Sequence, residues 1–441
     1  MKRKFFILFC AVIVSAFGIA KHALAEGAPL AIDTGDTAWL LISSALVAFM
    51  TIPGLALFYG GLVRRKNVLS IFMQCFIAMC VISLQWVLIG YSLSFAPGNA
   101  FIGSLKWLGL ANVGLLPYAD YSATIPHQLF MIFQGMFAVI TPALIIGAFV
   151  ERMKFSSFLI FIVFWAFLVY APVAHWVWAV GGWIRNLGAL DFAGGTVVHI
   201  NAGIAALVAA IVLGKRRFYN NRPTPPHNLP FSIIGAGLLW IGWYGFNAGS
   251  ALGANGLAVN AFVVTHIAAS SAGLSWAVIE WIVNGRPTVL GTITGAVAGL
   301  VAITPAAGFV SVIPAIIIGL LVSVFCFVSV SLIKPFFGYD DSLDAFGVHG
   351  VGGIWGALAT GLFASKAVNP AGADGLFFGN PSLFFTQLIA VIVTLVYSFI
   401  VTFLILKVID IATGGVRVSK REEATGLDLS QHHEGAYTML E

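Results

Sequence analysis

The sequence predicts an all-α polytopic membrane protein, and two observations support this fold class. Hydrophobic residues make up 60% of the 441-residue chain, charged residues only 9%, and the mean hydropathy is +0.98. Soluble domains carry about 25% charged residues, so this chain lacks the polar side chains needed to coat a globule in water. Apolar runs of membrane-spanning length also follow one another, with basic residues clustered between them. Despite a pI near 9.0, these observations exclude a cytosolic enzyme, a nucleic-acid-binding protein and a disordered chain.

The first segment has the features of a secretory signal peptide. Three basic residues precede an apolar stretch at residues 5–20, and a small-x-small site ends at Ala25. We predict cleavage after Ala25, which would leave the mature N-terminus outside; an uncleaved signal anchor is the alternative. The predicted division of the chain is a signal peptide at 1–25, a transmembrane domain at 26–410 and a tail at 411–441.

Eleven spans follow the signal peptide. A helix of about 20 apolar residues crosses the hydrocarbon layer of a bilayer, and short Gly- and Pro-containing turns separate most of the runs. Residues 96–126 form a longer connection, which we expect to be an external loop. The predicted spans are 37–61, 68–95, 127–150, 156–180, 193–213, 231–250, 258–283, 289–305, 311–333, 346–364 and 383–408.

The distribution of basic residues predicts the orientation of these spans, since cytoplasmic connections are enriched in Lys and Arg. With the N-terminus outside, fourteen Lys and Arg residues fall in cytoplasmic connections and the tail. Only Lys106, Arg185 and Lys366 fall in external ones. We therefore predict a multi-pass protein of the cell inner membrane, with its N-terminus external and its C-terminus cytoplasmic.

Eleven spans allow an inverted repeat of five plus five helices with one helix left over. The fifth span opens with Asp191 and carries His199; the tenth opens with Asp344 and carries His349. Each segment runs from an acidic residue through glycine to a histidine and then to further small residues. Because the two spans run in opposite directions, we expect the two histidines to approach the middle of the membrane from opposite faces and meet there.

Two imidazoles in contact could bind a metal or a haem, relay a proton, or hydrogen-bond a small polar solute in a narrow pore. Glycine-rich helical turns around both histidines favour a narrow channel over a porphyrin, so we predict no metal and no cofactor. A membrane-embedded redox protein with haem bound to His199 and His349 is the alternative from another class. Asp191 could cap a helix N-terminus or shape a cation site, and these two roles are compatible.

A cation waiting at a dry pore would need a cage of aromatic ring faces. Aromatic residues are 13% of the chain, and most belong to the core or to the membrane interface. The candidates near external span ends are Phe133, Phe137, Trp178 and Phe246.

Residues 191–203 resemble the signature of the Amt/Mep/Rh ammonium transporter family, and of its Amt branch in particular. Further segments in chain order carry the same resemblance along nearly the whole mature chain: residues 50–62, 133–135, 242–250 and 346–350. The resemblance implies a homotrimeric, non-enzymatic transporter of ammonium or ammonia that serves nitrogen uptake, with a five-plus-five inverted repeat and one narrow hydrophobic pore per subunit.

The resemblance also implies roles for individual residues. The external site that recruits ammonium falls on Phe137, Trp178 and Ser250, with Phe133 beside them. Two stacked phenylalanines that gate the pore fall on Phe137 and Phe246. The expected path is recruitment of ammonium, deprotonation near this gate, passage of ammonia, and reprotonation inside.

The same resemblance places the twin histidines at His199 and His349, the buried carboxylate at Asp191, and the aromatic residue beside the histidines at Trp243. Thr294 is a departure, because several relatives have a serine at this position near the pore. Threonine keeps the hydroxyl and adds a methyl group, so a backbone-facing role is retained more readily than a close contact with a ligand.

The tail is similar to tails of relatives whose cytoplasmic surface meets a trimeric PII-type signalling protein, which we expect as a possible partner beside the lipid bilayer. A Rh-type gas channel for ammonia or carbon dioxide, or an ammonium sensor, is an alternative function. A sensor would normally carry a cytoplasmic signalling domain, and we expect residues 411–441 to be too short to fold as one.

Overall fold

The structure is a computed structural model that describes residues 31–217, 219 and 224–437. Within these ranges, ten helices are long and apolar enough to cross a membrane, and one further apolar helix is shorter. We number these helices in chain order, with the shorter one as α8. They are α1 (Thr34–Leu62), α2 (Arg65–Phe95), α3 (His127–Phe149), α4 (Phe155–Asn186, interrupted at 179–182), α5 (Gly195–Leu213), α6 (Leu229–Gly249), α7 (Gly256–Asn284), α8 (Val289–Ile303), α9 (Val312–Phe337), α10 (Phe346–Phe363) and α11 (Pro381–Thr413).

The predicted all-α membrane fold is confirmed, and each predicted span coincides with one of these helices to within a few residues. The exception in length is α8, which has 15 residues and is therefore about 22 Å long. It ends before Pro305, whose ring cannot continue a helix. The predicted signal peptide, residues 1–25, lies outside the described residues.

One end of the helix bundle is covered by residues 96–126, and we call it the loop end. This connection, expected only as an external loop, contains a two-stranded antiparallel sheet of β1 (Pro117–Tyr118) and β2 (Ser122–Pro126). Trp107 anchors the connection, because its indole is buried and stacks on Tyr91 of α2 with ring centroids 5.2 Å apart. The loop is therefore a packed part of the fold.

The opposite end carries the C-terminal segment, and we call it the tail end. The segment packs against the bundle through a short helix, α12 (Lys420–Thr425), which begins with a capping box of Ser419 and Glu422. Beyond α12, the Asp428 carboxylate accepts a hydrogen bond of 2.8 Å from the Ser70 amide in the first turns of α2. The tail thus supplies a partner for a backbone group at the start of a membrane-spanning helix.

Two carboxylates at the tail end form ion pairs with arginines. Arg64 contacts Glu151 at 2.7 Å, and Arg216 contacts Asp340 at 2.9 Å. Burial alone would raise the pKa of the Asp340 carboxyl, but hydrogen bonds from Arg216 and the charges of Arg152 and Arg216 hold this pKa below its usual value. The network joins connections that are far apart in sequence into one surface.

Candidate functional site

The two predicted histidines meet in the interior of the bundle. His199 and His349 are 1% and 4% exposed, and their Nδ1 atoms lie 3.3 Å apart. The rings are nearly parallel, with an interplanar angle of 15° and centroids 5.4 Å apart. Only one of the two nitrogens can carry the proton of a hydrogen bond between them, so the neutral rings must adopt different tautomers there.

Each histidine lies on a widened first turn of its helix. Gly195–Ile200 at the start of α5 and Phe346–Gly350 at the start of α10 are both π-helical. Such turns are rare and are found mostly at functional sites. The α5 helix starts at the loop end and α10 at the tail end, which is the antiparallel arrangement that the predicted inverted repeat requires.

Glycines allow these two helices to approach closely. A Cβ atom on Gly203 would lie 2.2 Å from the backbone nitrogen of Gly350, and a Cβ on Gly353 would lie 3.0 Å from the Cβ of His199. Any side chain at Gly203 would therefore push the histidine-bearing turns apart.

Asp191 caps the start of α5. One carboxylate oxygen accepts hydrogen bonds from the backbone amides of Gly194 and Gly195, and the other accepts from Thr196 and Val197, at 2.7 to 3.1 Å. The predicted capping role is therefore present, and the charge also lies at the positive end of the helix dipole. The carboxylate uses both oxygens in this role.

The residue that matches Asp191 on α10 is Asp341, which corrects the pairing of Asp191 with Asp344 made from sequence. The Asp341 carboxylate accepts hydrogen bonds from the amides of Ala345 at 3.1 Å and Phe346 at 2.7 Å. It lies eight residues before its histidine, the same spacing as on α5. Asp344 instead forms an ion pair with Lys334. Asp344 is nearer both to the histidine and to the start of the helix, but its side chain pairs with Lys334, and the chain between 341 and 346 brings the Asp341 carboxylate onto the free amides.

Four aromatic rings lie between the loop end and His199. Phe137 and Phe246 are in contact, with centroids 4.3 Å apart and an interplanar angle of 46°. Phe133 and Trp178 each meet Phe137 edge-on, at 5.0 and 5.8 Å. On the inner side, Phe246 lies 6.0 Å from the His199 ring. The structure thus brings together the aromatic residues that the resemblance implied.

Hydrogen bonds fix the polar groups of this region. The indole N–H of Trp178 donates to the backbone carbonyl of Asp191 at 2.9 Å. Ser250, at the end of α6, donates its hydroxyl proton to the carbonyl of Phe246 at 2.9 Å. The lone pairs of the Ser250 oxygen remain available to a cationic donor.

Trp243 lies against the histidine pair as implied. Its ring stacks on His199 with centroids 5.3 Å apart and an interplanar angle of 20°. Its indole N–H donates to the hydroxyl of Thr304 at 2.9 Å, and that hydroxyl donates in turn to the carbonyl of Leu300. Thr304 was not predicted from the sequence. Its position before a proline at the end of an apolar helix was the only feature that could have indicated a role.

A narrow cavity lies beside the histidines. The centres of water-sized molecules can occupy only about 10 Å³ of it, which is room for about one water molecule. Its wall contains both histidines, Trp243 and Phe246, together with aliphatic residues that the sequence analysis did not single out: Met50, Leu55, Ile140, Leu144, Leu239 and Val297. The Nε2 atom of His199 is buried and has no hydrogen-bond partner among the described residues.

This geometry also bears on two other expectations. An iron between the histidines would have to separate rings that are in contact, and a porphyrin would need far more room, so the haem alternative does not fit. Thr294 does not line the cavity; its hydroxyl donates to the carbonyl of Leu290 in its own helix at 2.8 Å. In the described part of the chain, no three His, Cys, Asp or Glu side chains are grouped so that they could hold a metal ion.

Comparison with known proteins agrees with the fold and site. A sequence model of the Ammonium Transporter Family matches residues 38–437. The ammonium transporter of Bacillus subtilis (strain 168) is 56% identical over 403 residues, covering 91% of this chain and 98% of that protein. The crystal structure of Saccharomyces cerevisiae Mep2 has a TM-score of 0.83 and 37% identity, covering 88% of each chain. A solved structure of a sensor Amt protein has a TM-score of 0.81 and 28% identity, covering 90% of this chain and 98% of the other.

Fold and site define a polytopic membrane protein in which two histidines face a narrow, mainly apolar cavity behind a cluster of contacting aromatic rings. The chain belongs to the ammonium transporter family, as the resemblance in its sequence predicted. The identity to bacterial ammonium transporters is consistent with the Amt branch.

Proposed function

We propose that this protein is an ammonium transporter that recruits ammonium at the loop end and conducts ammonia past the histidine pair. The observation that carries the proposal is the contact of His199 with His349 beside a cavity with room for about one water molecule, behind the contacting rings of Phe137 and Phe246. The names of the relatives support ammonium as the substrate.

The recruitment site is formed by Phe133, Phe137, Trp178 and Ser250. Ring faces attract a cation by up to about 2 kcal/mol once water is removed, and the Ser250 oxygen can accept a hydrogen bond from an N–H group of ammonium. Ring and hydroxyl together replace part of the hydration shell of ammonium. Asp191 adds no direct contact, since its carboxylate is used by backbone amides, but its negative charge favours a cation nearby.

Deprotonation follows from the environment beyond the gate. Moving a bare ion into an apolar passage costs tens of kcal/mol in the limiting case, whereas a neutral polar molecule costs a few kcal/mol. Ammonium therefore gives up a proton near Phe137 and Phe246, and ammonia continues. The free Nε2 of His199 is placed to hydrogen-bond ammonia, and the touching imidazoles supply a separate route for the proton. K⁺ is rejected because it has no proton to lose.

The family resemblance and the distribution of basic residues support the cellular setting of the proposal. We infer a homotrimer in the cell inner membrane, with the loop end outside and the tail end in the cytoplasm, where a PII-type protein is a candidate partner. The signal peptide at residues 1–25 is removed, and the protein acts as a transporter without catalysing a reaction.

The test is ammonium-driven current and K⁺ current in proteoliposomes with a clamped membrane potential. The double variant His199→Leu/His349→Leu should lose ammonium current or admit K⁺. His266→Leu is the matched control, because His266 is exposed on α7 and bonds Tyr244 away from the cavity. Unchanged ammonium current and selectivity in the double variant would remove the histidines from the mechanism.

A second candidate, an ammonium sensor, is favoured by the likeness to the sensor Amt structure. A sensor would bind ammonium without flux in the same liposomes. Comparing ammonium flux with carbon dioxide flux would identify a Rh-type gas channel, in which carbon dioxide passes at a comparable rate.

A further inference from the structure

Residues 99–108 form a strap at the loop end that is fastened to the last turn of α2. The Ser92 hydroxyl donates to the carbonyl of Ser104 at 2.7 Å, and the Gly103 amide donates to the carbonyl of Leu93 at 2.8 Å. A Cβ on Gly103 would lie 2.3 Å from the Ser92 carbonyl oxygen. The strap therefore lies directly on the helix end, and its position is fixed.

The strap is also fastened to α4. The indole N–H of Trp176 donates to the carbonyl of Phe101 at 2.8 Å, and the Trp183 amide donates to the carbonyl of Ala100 at 3.1 Å. The rings of Phe101 and Trp183 lie 6.4 Å apart. Tryptophans are enriched where membrane-spanning helices pass through the lipid headgroups, which favours an interfacial depth for this part of the strap.

The side chains of the strap divide into an inner and an outer set. Trp107 points inward and is 2% exposed. Phe101, Leu105 and Leu108 are 61%, 56% and 48% exposed, and Lys106 is exposed between the two leucines. Large apolar side chains grouped on a rigid, otherwise well-packed segment indicate a contact surface.

The strap adjoins an exposed apolar stripe of α2. Leu84 and Leu88, spaced by one helical turn, are 67% and 42% exposed on the membrane-spanning part of this helix. The helix widens at Trp86–Gly90, and Ser92 beyond it is buried beneath the strap, where its hydroxyl donates to the carbonyl of Ser104 beside Leu105. The strap therefore lies at the end of the helix that carries these exposed leucines.

We propose that Phe101, Leu105 and Leu108 insert into the bilayer at the boundary between headgroups and acyl chains, and that the strap is an interfacial membrane anchor. The occupant is lipid because the strap lies on the end of a membrane-spanning helix with exposed leucines and is held by Trp176 and Trp183, a residue type enriched at membrane interfaces. Lys106 suits the same place, since its stem can cover apolar surface while its ammonium reaches a lipid phosphate. The anchor ties α4, and with it Trp178 two residues beyond Trp176, to the membrane surface.

The experiment places a fluorescent label on the strap. Cys10→Ser/Cys80→Ser removes the thiol of the predicted signal peptide and the exposed thiol of α2, and leaves the buried Cys75 and Cys326. Leu105→Cys is then labelled with an NBD dye and reconstituted in phosphatidylcholine–phosphatidylglycerol vesicles. Ala119→Cys is the matched control, because Ala119 is exposed in the turn between β1 and β2, beside Asp120.

The expected result is strong quenching of the label at 105 by lipids with a nitroxide near the headgroup, and little quenching by aqueous iodide. The label at 119 should show the reverse. Quenching at 105 by iodide alone would mean that the strap faces water, and protection from both quenchers would mean that a second copy or another protein covers it; either result overturns the proposal. Leu108→Cys repeats the measurement should Leu105→Cys fail to fold. Because the readout is lipid contact and not flux, it is independent of the proposed transport.

Discussion

The carboxylates of Asp191 and Asp341 hold the first turns of the two histidine-bearing helices, each from a position eight residues before its histidine. They do so from opposite ends of the bundle, Asp191 at the loop end and Asp341 at the tail end. The depth at which the imidazoles meet is therefore set from both sides by the same device, a buried carboxylate on unpaired backbone amides.

The first prediction separates Asp341 from Asp344. Asp341→Asn removes one of two oxygens that accept backbone amides, so it should destabilise the protein by about 1–3 kcal/mol and reduce ammonium flux. Asp344→Asn breaks the ion pair with Lys334 but leaves this cap intact, so its effect on flux should be smaller. The measurements are thermal unfolding in detergent and flux in liposomes. An equal or larger loss of flux in Asp344→Asn would contradict the assigned pairing.

The second prediction concerns pH at the tail end. Burial raises the pKa of Asp340, but Arg216 and Arg152 lower it by more, so the pKa in the folded protein lies below its usual value. Because this pKa is lower in the folded than in the unfolded protein, Asp340 stabilises the fold at pH values above the unfolded pKa of about 4. This stability is lost as the pH falls through the folded pKa. Asp340→Asn should therefore cost about 3 kcal/mol at pH 7.

The difference between wild type and Asp340→Asn should therefore begin to shrink as the pH falls below about 4, and shrink further as the pH falls through the lower folded pKa of Asp340, where the wild-type carboxyl becomes protonated in the folded protein. Unfolding temperatures of both proteins across an acid series give the measurement. A difference that stays constant through this range would show that charge on Asp340 is not what stabilises the network.

The third prediction tests the close approach of α5 and α10. Gly203→Ala places a methyl group 2.2 Å from the backbone of Gly350, so the helices must separate, with a cost of about 1–3 kcal/mol and a marked loss of flux. Gly237→Ala on α6 meets open space and should be neutral or slightly stabilising. Similar unfolding temperatures for the two variants would mean that the contact is not tight.

The fourth prediction concerns Thr304. Thr304→Val keeps the shape of the side chain but leaves the buried indole N–H of Trp243 without its acceptor, which should destabilise the protein by about 1–3 kcal/mol. Because Trp243 stacks on His199, we also expect lower ammonium flux. Thr304→Ser retains the hydroxyl and should restore flux. Loss of flux in both variants would point to the methyl group and its packing.

The fifth prediction concerns the two contacting phenylalanines, Phe137 and Phe246. Phe246→Ala removes a ring that contacts Phe137 at 4.3 Å and lines the cavity, so water and hydrated cations gain access to the histidines. We expect selectivity for ammonium over K⁺ to fall, as measured by reversal potentials in liposomes. Phe262→Ala, an exposed ring on the outer face of α7, is the control. Unaltered selectivity in Phe246→Ala would remove this ring from the barrier.

The fold could be read from the sequence because a membrane imposes a strong, one-dimensional constraint. A span needs about 20 apolar residues, and that length shows directly in the composition. The meeting of His199 and His349 was predictable for a related reason, since ionisable residues are rare inside spans and these two lie in similar segments.

Other parts of the site had no such signal. Met50, Ile140 and Leu239 line the cavity, but they resemble every other aliphatic residue in an apolar helix, and only packing distinguishes them. Asp341 was missed because a sequence pattern gives the order of acid, glycine and histidine, whereas the cap depends on which carboxylate the backbone brings onto the free amides. Thr304 was missed because its partner Trp243 is 61 residues away in the chain.

The contact of Asp428 with Ser70 has a consequence for biogenesis. These residues are separated by 358 positions, so the start of α2 enters the bilayer long before the carboxylate that completes its hydrogen bonding has been translated. A product truncated before Asp428 therefore lacks the acceptor for the Ser70 amide, and the start of α2 reaches its final hydrogen bonding only after the tail has been synthesised.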